Sequence, residues 1–177
     1  MRIKPIHKES EIPKKYMGTP VETLIRYHNF AEEGAPYQSA EILVGMCMDN
    51  RKALHVPDNF AYVIRTAGGN MKHSDFILSY AVAVGKVKAI AIIGHDDCGM
   101  CGLHNRKENY IKGLVKAGWE KETAEQHFDS FSPIYEIGDE LDFVLSEVKR
   151  IRTRYPNLTV APLFYNMEEG DLSYIEE

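Results

Sequence analysis

The chain of 177 residues is short of three things. It has three cysteines, Cys47, Cys98 and Cys101, an odd and sparse number that excludes a disulfide framework and suits a reducing compartment. It has no excess of basic charge: 21 Lys and Arg stand against 26 Asp and Glu, a formal charge of −5, and only short basic pairs such as Lys14-Lys15 occur. A surface of that sign has no means of gripping a phosphate backbone, so no nucleic-acid partner is expected. It also has no long hydrophobic run. The most apolar stretch, 76–94, is broken by Lys86 and Lys88, short of the roughly 18 uncharged residues that a membrane span needs. The opening MRIKPIHKESEIPKK carries charges and prolines where a signal peptide needs its apolar segment, and a cytoplasmic location is expected.

What is present is ordinary globular composition, 44% hydrophobic and 27% charged, in a length that suits one domain over 1–177. Residues 1–20, with Pro5, Pro13 and Pro20, read as an extended arm outside the core. Val21, Leu24, Ile25 and Ala31 fall near helical spacing, with Gly34 as the stop. Three apolar runs, 41–48, 60–64 and 87–93, read as strands, the first too short for a free-standing helix and suited to a strand buried on both faces. Between the last two, 74–84 reads as a helix capped by Ser74. Helical segments follow at 104–117, 120–129 and 139–154, the last with Leu141, Val144, Leu145, Val148 and Ile151 on one stripe. Leu158–Ala161 reads as a short strand, and 163–175 as a strand, a turn at Glu169-Gly170-Asp171 and another strand. Strands alternating with helices predict an α/β fold with a mainly parallel central sheet flanked by helices.

In such sheets ligands bind beyond the carboxyl ends of the strands. Cys47 closes the first apolar run, His95 lies just past the third, and Cys98 follows His95 by three residues. Two sulfurs and one imidazole converging there match the preferred ligands of zinc, with a fourth position left over for chemistry. In Cys47-Met-Asp49-Asn-Arg51 an extended chain would point Cys47, Asp49 and Arg51 to one side. Asp49 can then bind the metal or accept a hydrogen bond beside it, and Arg51 can pair with it bidentately. Taken alone, Cys47 reads first as a small core residue; Asp49 and Arg51 have a bland alternative as a structural ion pair, and Cys98-x-x-Cys101 one as a redox dithiol, which would remove a ligand from a site otherwise complete. His55, His73, His104 and His127 are candidates for proton transfer, whereas His7 and His28 receive no role. Tyr110, Trp119 and Tyr135 read as packing residues.

Cys47-Met-Asp49-x-Arg51 followed by Gly94-His95-x-x-Cys98-Gly99 resembles the β-class carbonic anhydrases, with their Cys-x-Asp-x-Arg and His-x-x-Cys motifs. Ile64-Arg-Thr-Ala-Gly-Gly-Asn70 is similar to that family's Arg-Asn-Ala-Gly loop, and the wording is most similar to a short archaeal and mycobacterial-like branch. The likeness runs from about 41 to 103. It implies one zinc per chain on Cys47, His95 and Cys98, an Asp49–Arg51 catalytic dyad, and attack of zinc hydroxide on CO2 to give bicarbonate and a proton. It also implies a homodimer, extending to a tetramer in some arrangements, in which the arm and helix of 1–35 lie across the partner. Some members swing the aspartate onto zinc at lower pH, which would make Asp49 a fourth ligand in a closed state. Thr66-Ala-Gly68-Gly69 departs from the expected Asn-Ala-Gly-Asn, which places Gly68 and Gly69 beside the substrate in altered form. That change leaves room for a COS or CS2 hydrolase on the same zinc site. A non-catalytic zinc or bicarbonate-binding homologue is the reading from another class. Cys101 is an extra residue in the motif.

Overall fold

The computed structural model describes residues 2–177. Its centre is formed by β2 (Ile42–Cys47) and β4 (Ala89–His95), in which every residue is buried. Unbroken Val, Ile, Leu and Ala without alternation is what a strand covered on both faces requires. β3 (Ala61–Thr66) and β5 (Thr159–Tyr165) extend the sheet on either side, and all four strands are parallel. Two antiparallel strands, β6 (Leu172–Ile175) and β1 (Ile3–Lys4), complete the order β1-β6-β5-β4-β2-β3. The expected α/β sheet, mainly parallel, is thus present.

Five helices surround the sheet: α1 (Pro20–Asn29), α2 (Asp75–Ala83), α3 (Lys107–Lys116), α4 (Lys121–Tyr135) and α5 (Glu140–Arg154). One face is covered by α1, whose Val21, Leu24 and Ile25 join Ile42, Val44, Met46, Ala91 and Ile93 in one core. The other is covered by α2 and α5, with Leu78, Ala81, Val144, Val148 and Ile151 over Leu43, Ile90 and Ile92. Caps explain where two helices begin: Thr19 accepts the Val21 N–H at 3.3 Å ahead of Pro20, and Asp139 accepts those of Leu141 and Asp142 at 3.0 and 2.9 Å.

Four local expectations change. The segment 1–20 does not stand outside the core: Ile6, Ile12 and Tyr16 are buried in the α1-side cluster, and Ile3 pairs with Ile175. The two strands read at 158–161 and from 163 are one, because β5 runs through Pro162. The β6 ladder begins only at Leu163, and Arg152 Nη2 donates to the Val160 carbonyl at 2.7 Å on that edge, so the N–H that Pro162 lacks interrupts no pairing. Helix α4 continues through Pro133 to Tyr135 rather than stopping near 129. Ser74 makes no side-chain cap to α2, whose first turn is held instead by ion pairs from Asp75 to Arg150 and Arg154.

Candidate metal centre

The carboxyl ends of β2 and β4 meet at one edge of the sheet, and three side chains gather there. Cys47, His95 and Cys98 are buried, and their ligand atoms all lie within 4.8 Å of one another. The two sulfurs are 3.9 Å apart. Two thiolates on one tetrahedral zinc, with bonds of about 2.3 Å, would stand about 3.8 Å apart. The imidazole is oriented for the same purpose. His95 Nδ1 lies 2.8 Å from the Asp96 carbonyl, which can only accept, so Nδ1 carries the proton and Nε2 presents a lone pair. That Nε2 is buried without a hydrogen-bond partner. A buried acceptor facing two sulfurs is the atom a metal would use, so the residues fit zinc.

The thiols polarise each other. Cys47 is pushed far below the ordinary thiol range, chiefly by the hydrogen bond from Cys98. Cys98 is pushed up by the neighbouring Cys47 sulfur and by burial. Cys101 lies outside the cluster, and burial together with Glu140 pushes its thiol up to about 12. An un-ionised thiol is a poor nucleophile, which disfavours the redox-dithiol reading.

Beyond Cys47 the chain does not stay extended as expected. It turns, and the Arg51 N–H donates to Asp49 Oδ1 at 2.9 Å, closing an Asx turn that places both side chains together. The guanidinium then forms a fork on Asp49, Nε to Oδ1 at 3.1 Å and Nη2 to Oδ2 at 2.7 Å. Its remaining nitrogen donates to Asp97 Oδ2 at 2.7 Å, and Nη2 also donates to the Asp97 carbonyl at 3.0 Å. Hydrogen bonds from Arg51 hold the Asp49 carboxyl well below the usual carboxylate range, and Asp49 followed by Asp97 raises the guanidinium.

Several contributors were not foreseen from sequence. Arg65, across the β2–β3 ladder, donates to the carbonyls of Cys47, Asp49 and Lys52 at 3.3, 3.2 and 3.0 Å and so pins the turn that carries the dyad. Glu140 accepts the Cys98 N–H at 3.2 Å, and Asp96 Oδ1 accepts the Met167 N–H at 2.9 Å, tying the His95–Cys98 loop to α5 and to the β5–β6 turn. These are tertiary pairings with no local signature; only the Arg in Ile64-Arg-Thr-Ala marked one of them.

Gly68 and Gly69 form a tight turn with φ of +63° and +73°, buried against the ends of β2 and β4. A Cβ on Gly68 would fall 2.7 Å from Ile137 Cγ2, where it does not fit, whereas one on Gly69 would make only ordinary contact, 3.6 Å from the Cys47 nitrogen, so there it is the positive φ that calls for glycine. The four candidate histidines are scattered. His55 lies tilted against His28, His73 lies near Tyr135, His104 pairs with Glu136 at 3.3 Å, and His127 sits among Tyr110, Trp119 and Phe131. His28, given no role from sequence, is a structural clasp: Nδ1 accepts the His55 N–H at 3.1 Å, and Nε2 donates to the Gly170 carbonyl at 2.9 Å.

Two openings flank the loop after Cys98. One, of about 450 Å³, is lined by the charged side chains of Asp49, Arg51, Asp97 and Arg106 together with Met48 and Gly99. The second, of about 330 Å³, is apolar and runs between α3 and α4 past Ala67, Met100, Leu103, Phe128 and Phe131.

Comparison with known proteins agrees with this geometry. A family model described as carbonic anhydrase matches residues 43–172. The fold is similar to that of β-carbonic anhydrase isoform I from Trichomonas vaginalis, at 22% identity and a TM-score of 0.62 over 93% of this chain and 99% of that one. It is similar also to a carbonic anhydrase from Glaciozyma antarctica, at 22% identity and a TM-score of 0.58 over 92% and 99%. An apo form of carbon disulfide hydrolase shares 19% identity with a TM-score of 0.55 over 90% of each chain. Comparison with curated sequences gives no match. The chain belongs to the β-carbonic anhydrase family.

Proposed function

We propose that the protein is a zinc-dependent carbonic anhydrase that interconverts CO2 and water with bicarbonate and a proton. The observation that carries this reading is the convergence of Cys47, His95 and Cys98 within 4.8 Å beside an aspartate already locked to an arginine. Cys47, His95 and Cys98 would hold one zinc, which when bound supplies a Lewis acid able to activate water near neutral pH. Asp49, kept ionised by Arg51, would accept a hydrogen bond from an attacking water and so orient it toward the carbon of CO2. Because Asp49 carries no proton to give or keep, the proton released by the reaction passes to solvent or buffer. Arg51 turns Asp49 while Asp97 anchors Arg51 from the other side, which favours an Asp49 held off the metal over one closing the site. Gly68 and Gly69 bring backbone close enough to border the substrate.

The same reading takes the protein as a single cytoplasmic domain acting as a homodimer. No helix among the described residues is long and apolar enough to cross a membrane. Phe76, Ile77 and Tyr80 on α2, with Val84 just after it, are exposed, as are Tyr62 and Val63 of the edge strand β3, and these apolar side chains support self-association. Exchange of the 1–35 segment between subunits belongs to the same proposal.

Protein carrying one zinc per chain, followed by stopped-flow CO2 hydration up to pH 9, tests the reading. Hydration above the buffer rate is expected, abolished together with metal content in His95→Ala; a fully zinc-loaded protein no faster than buffer overturns it. The apolar opening past Ala67 and Met100 favours a second reading, hydrolysis of COS or CS2. Sulfide release from COS at rates rivalling CO2 hydration would select it.

A further inference from the structure

Among the described residues, four buried side-chain atoms have no hydrogen-bond partner: Tyr16 Oη, Lys52 Nζ, Thr66 Oγ1 and His95 Nε2. The metal accounts for His95. Lys52 is the anomaly, because it is 2% exposed and ends in an ammonium with three donors and no acceptor. Lysine is seldom buried unpaired, since removing its charge from water is costly. Lys52 is also fixed in place: Arg65 Nη2 holds its carbonyl at 3.0 Å, in the turn that carries Asp49 and Arg51.

The charged groups that act on it are those of the candidate site. Burial lowers its pKa, while Cys47, Asp49 and Cys98 favour its charged form and Arg65 opposes it. No carboxylate lies within ion-pair distance of Nζ, and the atom is too enclosed to touch an incoming molecule. Its influence therefore acts through space.

The balance of charge shows where that influence matters. A divalent metal held by two thiolates is neutral as a unit. Around it stand the carboxylates of Asp49, Asp97, Glu140 and Asp96, which Arg51 and Arg106 balance only in part. An anionic product would meet that surplus. Arg65 and Lys52 offset it, and Lys52 does so from an enclosed position where solvent and salt screen least.

We propose that Lys52 is a positioning residue of the metal centre, whose enclosed ammonium supplies a fixed positive charge that favours a small anion, bicarbonate or an inorganic mimic, at the Cys47–His95–Cys98 cluster. This inference rests on the metal-site reading above but not on CO2 turnover, so the two fail separately.

The test uses wild type, Lys52→Met and Lys52→Arg, each loaded with one Co(II) per chain, with thiocyanate as the probe and visible absorption as the readout. Lys52→Met is expected to weaken thiocyanate binding by about tenfold at low ionic strength, and Lys52→Arg to stay within about twofold of wild type, because arginine keeps the charge. Equal affinity in the methionine variant and wild type at equal metal content overturns the proposal. So does equal weakening in methionine and arginine variants, which would assign the effect to shape. Where Lys52→Met does not fold, Lys52→Gln carries the same comparison, and side-chain 15N spectra of the wild-type protein report the ammonium directly. A neutral amine at pH 7.5 overturns the proposal as well. Lys52-dependent thiocyanate binding in a protein without CO2 hydration would uphold it while rejecting the proposed activity.

Discussion

Two clusters of arginine and carboxylate use the same chemistry for different ends. At the site rim, Arg51 bridges Asp49 and Asp97 with its side chain 47% exposed. On the sheet face covered by α2 and α5, Arg150 bridges Glu147 and Asp75 over the α2–α5 contact, and there the Glu147 side chain is only 2% exposed. Glu147 has a further duty, since its Oε2 accepts the buried Met71 N–H at 3.0 Å. The difference lies in what remains when one partner is removed. At the rim, water can solvate the survivors. Within the α2–α5 contact, a buried amide and a half-buried guanidinium would be stranded. The first cluster can therefore be spent on orientation, while the second holds two helices on the sheet.

The largest expected effect breaks the buried cluster. Glu147→Ala is expected to cost about 3 kcal/mol of stability, read by chemical denaturation, because it leaves an uncompensated charge and an unpaired N–H. Zinc stoichiometry in the fraction that remains folded should be unchanged. A cost below about 1 kcal/mol would show that the two clusters do not differ as argued.

Asp49→Asn reverses the pattern. It keeps size and one acceptor oxygen but removes the charge that Arg51 grips, so kcat/KM for CO2 hydration is expected to fall about a hundredfold, equivalent to about 2.7 kcal/mol of transition-state stabilisation. Stability should change by less than about 1 kcal/mol, since Arg51 retains Asp97 and solvent. Equal losses in activity and stability would place this pair in the structural class.

The His28 clasp sharpens the comparison with a group that is buried and must stay neutral. Burial lowers its pKa below the ordinary 6.5, and its Nδ1 must remain unprotonated to accept the His55 N–H. The unfolded chain therefore binds a proton that the folded one refuses. The stabilisation is complete above pH 6.5 and is lost as pH falls through the lower folded value. Between pH 6.5 and 5.5 the lowered carboxylates of Asp75, Glu22 and Glu177 stay ionised and do not contribute to the change, whereas the lowered Cys47 thiol adds a slope of the same sign. His28 is expected to account for a loss of up to about 1.4 kcal/mol per pH unit in this window, read by urea denaturation as the difference between wild type and His28→Gln. Equal slopes in the two would assign the loss elsewhere.

How much of this was legible in sequence depends on whether the signal was local. β2 and β4 were, because a strand covered on both faces spells itself as an unbroken apolar run, and the candidate ligands sit where those runs end. The arm was not: Ile6, Ile12 and Tyr16 follow neither a period of 2 nor one of 3.6, since short 3-10 turns carry the chain between them. β5 was split by Pro162 because tolerance of a proline depends on which edge its missing N–H faces. The Asp49–Arg51 pair was expected for the wrong reason: period-two alternation suggested it, but an Asx turn makes it. Asp97, Arg65 and Lys52 gain their roles only when β2, β3 and the His95–Cys98 loop come together.

The smallest expected effect concerns Cys101, which separates membership in a motif from membership in a site. Cys98-x-x-Cys101 has the spacing of a redox or metal pair, yet Cys101 lies outside the three-ligand cluster, and its thiol is pushed up to about 12 by burial and Glu140. A thiol that stays protonated is a poor nucleophile at neutral pH, and its place outside the cluster is what keeps Cys101 from the metal. Cys101→Ser replaces a half-buried sulfur with a slightly smaller hydroxyl that can still donate to Glu140. Stability is therefore expected to change by less than about 0.5 kcal/mol, with one zinc per chain retained and hydration kinetics within about twofold. A clear loss of zinc in Cys101→Ser would make Cys101 a working member of the centre. The division between an edge that does chemistry and surroundings that only support it would then have to be drawn one turn further along the loop.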